Sequence, residues 1–386
     1  MKSMKNIYGY WFCYITFNLL VIFMISCSND KKMGSANLEE SAHPTEENTP
    51  RYISQEISKA PKPDLRNYKR LQKLIDGKYK TIFTIGEDVE SHEGLLGEVE
   101  TALFTKDDRI LVLDSNRSQI KIYDLEGNLI KNFGRPGRGP GEFMIPEAMA
   151  LSSNNKLIVI NRGNRINIYD YQNGSIEFEN TILVKYVPED LCTLNDKFIV
   201  RGVEQPNQEL NANILHEYSA KTGEHLRSLG SSYKSNNWLV VNQLSDGPIA
   251  CNHESNNIIK MYEYLPYIYS YDLEDSLKWV TKINDFDNFE ITEEYRGGNI
   301  PSVVFKTATG GSEMGYNLKS IFGDKVILQA RKKVNERYQY LTYALNSKDG
   351  KGVFLGDNIP IIYAQNGNKL IISGSSDFLS LRLIEL

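Results

Sequence analysis

Eleven consecutive positions, FGRPGRGPGEF from Phe133 to Phe143, hold four glycines, two prolines and two arginines. Glycine-rich backbone can cradle a phosphate, and guanidinium forks suit carboxylate, phosphate or sulfate groups. A phosphate cradle, however, requires GK[ST] or GxGxxG spacing at the opening of a helix. Neither spacing is present, and Pro146 with strand-like sequence follows. The loop therefore reads as a turning device, with glycine and proline reversing the chain and Phe133 and Phe143 entering a core. Arg135 and Arg138 are left without a turning role.

Other chemistries leave weaker traces. The five histidines, His43, His92, His216, His225 and His253, form no HExxH or other zinc spacing, so no metal is expected. His216 and His225 are expected as surface or packed residues. No GxSxG elbow marks a nucleophilic serine, and no catalytic residue or cofactor motif is nominated. The acidic run DFDNFEITEE, Asp285 to Glu294, lacks the DxDxDG pattern of a calcium loop and reads as solvated. A net charge of −5 disfavours nucleic acid as a partner.

The elements that must position these residues begin after an N-terminal signal. Lys2 and Lys5 precede an apolar run, Ile7 to Ile25, that ends in MISC and turns polar at once. Residues 1–26 read as a secretory signal; a minimal transmembrane anchor is the alternative, and Asn18 within the run argues against it. Residues 27–77 are rich in Glu, Asn, Ser, Lys and Pro and read as a flexible tether with one short helix near Leu65 to Ile75.

From Lys78 onward, short runs of Val, Ile, Leu, Tyr and Phe alternate with Gly, Asn, Asp and Ser clusters, the pattern of an all-β body. It repeats. RILVLDSNRSQIKIYDLEGNLIKNFG aligns with KLIVINRGNRINIYDYQNGSIEFEN, placing Tyr123 and Tyr169 46 residues apart. A unit of this length with four short strands is a propeller blade. Blades are expected near 97–134, 143–186, 188–230, 247–283 and 318–356. A sixth, from Ile359 to Leu386, lacks one strand, which Lys78 to Gly86 supplies to close the ring and hide an edge. Cys192 and Cys251 fall in the innermost strands of neighbouring blades and are expected as free thiols. The segment Asn284 to Asn317 is too long for a plain connection and is a candidate cap on one mouth of the channel.

Two resemblances follow from these residues. MISC resembles the lipobox of bacterial lipoproteins, which implies lipidation of Cys27 and a membrane-tethered place in the cell envelope, with the outer membrane as the expected site. LDSNRSQIKIYDLEGNLIKNFGRPGRGPGEFMIPEAMAL resembles an NHL-type repeat, and with the lipobox the chain is similar to six-bladed, NHL/TolB-like propeller lipoproteins of Gram-negative bacteria. The expected fold is thus a six-bladed β-propeller of four-stranded antiparallel blades over residues 78–386.

The blade map puts Arg117, Arg135, Arg138, Arg162, Arg165 and the trio Arg331, Lys332, Lys333 in loops of one rim. They form a candidate basic lip for an anionic ligand, unless they pair with neighbouring acids such as Asp114 and Glu142. The expected function is a binding module for a protein, peptide or glycan partner. The alternative is a lyase or hydrolase with its site at the axial mouth, which converging ionisable groups with displaced pKa values would favour; an Arg-lined rim would favour the binder. Scaffolding would show as a broad exposed apolar patch.

Overall fold

Blades one and four each close an outer hairpin on an aspartate-centred turn. Asp124 accepts hydrogen bonds from the backbone N–H of Glu126 and Asn128 at 3.0 and 2.8 Å, and Asp272 repeats this with Glu274 and Ser276, both at 2.9 Å. These side chains satisfy turn donors that the strands leave unpaired and so close the hairpin between third and fourth strands. The fully buried Asp114 instead gathers the N–H groups of Gly97, Glu98 and Arg117, tying the entry to blade one to the loop between its second and third strands.

The computed structural model describes residues 40–41, 48–59, 65, 68–86, 93–204, 212–296, 300–308, 310–334, 337–357, 359–374 and 379–386. The expected signal segment and Cys27 lie outside these residues. Six four-stranded antiparallel sheets are present, and they are the expected blades. From inner to outer strand, blade one runs Val99–Phe104, Ile110–Asp114, Gln119–Tyr123, Leu129–Phe133, and blade two runs Pro146–Leu151, Lys156–Asn161, Arg165–Gln172, Ser175–Leu183. The inner strands of blades three to six start at Asp190, Ile249, Glu313 and Ile362. Lys80–Ile85 pairs antiparallel with Leu381–Glu385 as the outer strand of blade six, as expected. Each inner strand touches the next around the axis, and the sixth touches the first.

The core is divided accordingly. Six apolar clusters occur, one per blade interface; Leu111, Leu113, Met149 and Tyr169, for example, join blades one and two. Fully burying one such side chain is worth about 1.5–3 kcal/mol, so ring closure adds a sixth interface to five.

Three expectations are corrected. First, the segment read as a flexible tether carries structure in its described parts: Gln55–Ile57 lies parallel to Thr281–Ile283 as a fifth strand on blade four, and Glu40–Ser41 pairs with Glu293 and Thr292. The cause is a few apolar residues in a polar background: Ile57 enters the cluster between blades four and five, and Leu71 and Leu74 of the expected short helix, Lys69–Ile75, enter that between blades five and six. Second, the acidic run Asp285 to Glu294, read as a solvated loop, enters a hairpin, Glu290–Arg296 with Ile300–Lys306, where Ile291 is buried and Phe289 and Phe305 pack on Tyr264. Third, Cys192 and Cys251 form a disulfide, because neighbouring inner strands approach closely enough at the axis to set the two Cα atoms 5.5 Å apart. Among the described residues no helix is long and apolar enough to cross a membrane.

Candidate functional site at the axial mouth

The inner strands all begin at one face of the ring, where their first residues surround a cavity of about 280 Å³. Loops between blades, and those between second and third strands, open on this face, so the rim expected from the sequence is the surround of this cavity.

Blades one to four supply a carboxyl wall: Glu100, Glu147, Glu189, Asp246 and Glu263. Arg201, buried at the end of the second strand of blade three, holds two of them, with Nη2 2.8 Å from Asp246 and Nη1 bonded to Glu189. Burial works against that guanidinium's charge, and Asp246 and Glu189 outweigh it, so its pKa is raised. Glu147 pairs with Arg162 at 3.0 Å; burial nonetheless pushes its carboxyl up. Glu100 accepts from the Ser115 hydroxyl at 2.7 Å, and burial takes it up to about 7. Glu263 is pushed up to about 8, by burial first and then by Asp246.

Blades five and six supply a wall of different character. Tyr316 and Tyr363 line it with Arg331. The guanidinium carbon of Arg331 lies 4.8 Å from the ring centre of Tyr316 and 4.9 Å from that of Tyr338, and Tyr340 packs on Tyr316 with ring centres 5.6 Å apart. At the opposite end of the axis, a second cavity of about 520 Å³ is lined by the Cys192–Cys251 disulfide, Thr193, His253 and Lys319. His216 is fully buried in blade three, stacked on Tyr186, and burial takes its pKa down to about 4.

The six arginines nominated from the sequence separate into two groups. Arg117 lies 3.8 Å from Asp114, Arg135 bonds Glu142 at 2.8 Å, and Arg162 bonds Glu147. Arg138, Arg165 and Arg331 meet no carboxylate among the described residues: Arg138 contacts the Met144 sulfur at 3.0 Å, and Arg165 donates to the carbonyl of Arg138 at 2.8 Å. Of the six, only Arg331 lines the cavity.

The glycine loop is built around its own anion. Glu142 accepts from the N–H of Gly139 at 2.8 Å and from Arg135 Nε at 2.9 Å, and those bonds hold its carboxyl below the usual range. A Cβ added at Gly134, where φ is +90°, would lie 2.3 Å from the Phe143 ring, so only glycine fits under that core residue.

The carboxyl wall and Arg201 were absent from the sequence-derived candidates. Their signal was phase within the repeat: acids recur at or just before the inner strand in EVETALF, PEAMAL, PEDLCTL and SDGPIACN.

A family model for DUF5128, 6-bladed beta-propeller, matches residues 90–304, more than half of the chain. Among solved structures, a candidate exported protein from Bacteroides fragilis aligns at 9% identity over 87% of this chain and 99% of that chain, with a TM-score of 0.54. A member of the DUF4221 family from Bacteroides vulgatus aligns at 10% identity over 80% of this chain and 97% of that chain, with a TM-score of 0.51. At these identities the likeness concerns the fold. No curated protein matches the sequence.

Proposed function

The chain belongs to the DUF5128 family of 6-bladed beta-propellers, and on that premise we propose that it is an exported, lipid-anchored module that binds part of an envelope partner in its axial mouth. The observation that carries the proposal is Arg331, a guanidinium aimed at the cavity by two tyrosines and left without a carboxylate among the described residues. Arg138 and Arg165, with the paired Arg117, Arg135 and Arg162, lie across the ring on blades one and two as a cationic lip that steers an anionic partner toward the mouth.

Export is supported by three features. MISC ends the apolar leader at Cys27; the two remaining body cysteines are joined, which suits an oxidising compartment; and one similar fold belongs to a candidate exported protein. Converging ionisable groups with displaced pKa values are what an enzyme would also use. Here Glu189 and Asp246 are bonded to Arg201, and Glu147 to Arg162, so three of the five carboxyls also hold the frame of the mouth. Binding is therefore the reading that accounts for more of the wall.

The test is affinity capture from envelope extract with the full-length, detergent-solubilised lipoprotein, read by mass spectrometry. Thr101→Trp, which adds bulk on the inner strand of blade one where this cavity and the second one share a lining residue, serves as the comparison. A partner retained by the wild type and lost from a folded Thr101→Trp is the expected result; equal retention sinks the mouth as the seat. Labelled palmitate entering the wild type and not Cys27→Ser checks the anchor.

A further inference from the structure

Five carboxyls line the same cavity as Arg331, so composition does not prevent an ion pair there. The chain nevertheless keeps Arg331 out of ion-pair contact with them among the described residues, although its charge reaches Glu263 and pulls that carboxyl down against burial. Its Nη2 approaches only the Met314 sulfur, at 3.3 Å, and its Nε is buried with no hydrogen-bond partner. Leaving a buried donor unmade is costly; Arg201 also has an unmet Nε, but its Nη1 and Nη2 are paired with Glu189 and Asp246, as those of an arginine present only to neutralise the wall would be. Tyr316 and Tyr338 instead hold the guanidinium carbon of Arg331 4.8 and 4.9 Å from their ring centres, and with Nε buried the Nη1–Nη2 end is the edge left to donate. Such an edge matches a planar carboxylate with two parallel hydrogen bonds.

The rest of the cavity narrows the ligand. Facing Arg331 is the row of carboxyl oxygens from blades one to four, which accepts hydrogen bonds from hydroxyls. Beside it, Tyr316 and Tyr363 offer apolar ring surface. A volume of about 280 Å³ lies just below the ~300–1,000 Å³ typical of small-molecule pockets, which suits one six-membered ring better than an extended chain. An acidic peptide side chain would satisfy Arg331 and leave the row of acceptors unused. Glu100 and Glu263, whose carboxyls burial raises to about 7 and about 8, add little repulsion toward an anion near neutral pH.

We infer that the mouth binds the terminal uronate of an acidic glycan, with the ligand carboxylate on the edge of Arg331, its hydroxyls on the opposite carboxyl wall and its ring against the tyrosines. The inference rests on the mouth being the binding seat and names what sits there.

Calorimetry with the full-length protein in detergent tests it, using a galacturonic acid trisaccharide, a neutral galactose trisaccharide and a glutamate-ended tetrapeptide as probes. The uronate binds the wild type, and the other two bind at least about tenfold more weakly. Arg331→Gln weakens the uronate by ~10–100-fold, the loss of a charge-assisted pair, and Arg331→Lys does not restore it, because a point charge lacks the fork. Unchanged uronate affinity in Arg331→Gln overturns the inference, as does tighter binding of the peptide. Neutral sugar binding as tightly as uronate, and lost in Thr101→Trp, removes the anion and keeps the mouth. Failure of all three probes on the wild type overturns the uronate assignment, while the capture experiment decides the module reading separately. The probe comparison on wild-type protein stands even if an Arg331 variant fails to fold.

Discussion

The loop from Phe133 to Phe143 and the tall hairpin of blade five put the same cation on the same face and use it in opposite ways. In the loop, Arg135 is bonded to Glu142, which also holds the backbone of Gly139, so the charge belongs to the frame. In blade five, Arg331 is held by ring faces and keeps an edge to donate. Conspicuous composition marks the first region and an ordinary strand end the second. A cation already matched within the chain has little left for a partner; one oriented by rings retains its hydrogen-bonding capacity.

The strongest way to break this contrast is Arg201→Met. Arg201 is the extreme of the matched class, with two carboxylates in a buried setting, and its removal is expected to destabilise the fold by about 3–5 kcal/mol in urea titration. A loss below about 1 kcal/mol would mean that pairing does not identify structural arginines here. Next is the brace at the opposite end of the axis. Replacing Cys192 and Cys251 by serine together is expected to cost about 2–4 kcal/mol under oxidising conditions. If the reducing agent leaves the wild-type denaturation midpoint unmoved, the two thiols are not joined in solution.

A pH series sharpens the account of the wall. Burial raises Glu100 from 4.5 to about 7, so the folded state holds its proton more tightly than the unfolded state. Its contribution is fully present below the unfolded value and is lost as pH rises through about 7. The melting temperature should therefore fall between about pH 5 and about pH 8, and Glu100→Gln should flatten that slope. Parallel slopes for the two proteins would remove Glu100 as a contributor. The smallest effects belong to the lip. Arg135→Ala is expected to change stability by about 0–1 kcal/mol, as exposed pairs do. Reversing the charges of Arg135 and Arg138 should slow association of an anionic partner and reduce its salt dependence, with dissociation little altered; an altered dissociation rate would make the lip part of the contact itself.

The ring was legible because each repeat declares itself locally. Tyr123 and Tyr169 bury at equivalent places in the third strands of their blades, and Lys80–Ile85 completes the three-stranded last blade. Gln55–Ile57 was not legible: three residues, only one of them strongly apolar, make no periodic signal until blade four offers an edge. The disulfide was missed for a related reason, since sequence places two cysteines in adjacent inner strands without stating how near the axis those strands converge. The mouth is the least local feature. Glu100, Glu147, Glu189 and Asp246 come from four different repeats, and their common position emerges only when the repeats are superposed by phase and then arranged radially. Nothing in the local sequence of Arg331 separates it from Arg135, because the rings that orient it come from Tyr316 on the preceding strand and Tyr338 on the next.

The strand Gln55–Ile57 and the Lys59 contacts to Asp285 and Asp287 set the order in which the chain would yield to tension from its amino end. A pull first parts Glu40–Ser41 from Thr292 and Glu293, then peels Gln55–Ile57 from the rim of blade four, then breaks the Lys59 contacts and draws Leu71 and Leu74 from their cluster, and only afterwards reaches Lys80–Ile85. Those short attachments act as mechanical fuses: they release slack while the ring stays shut.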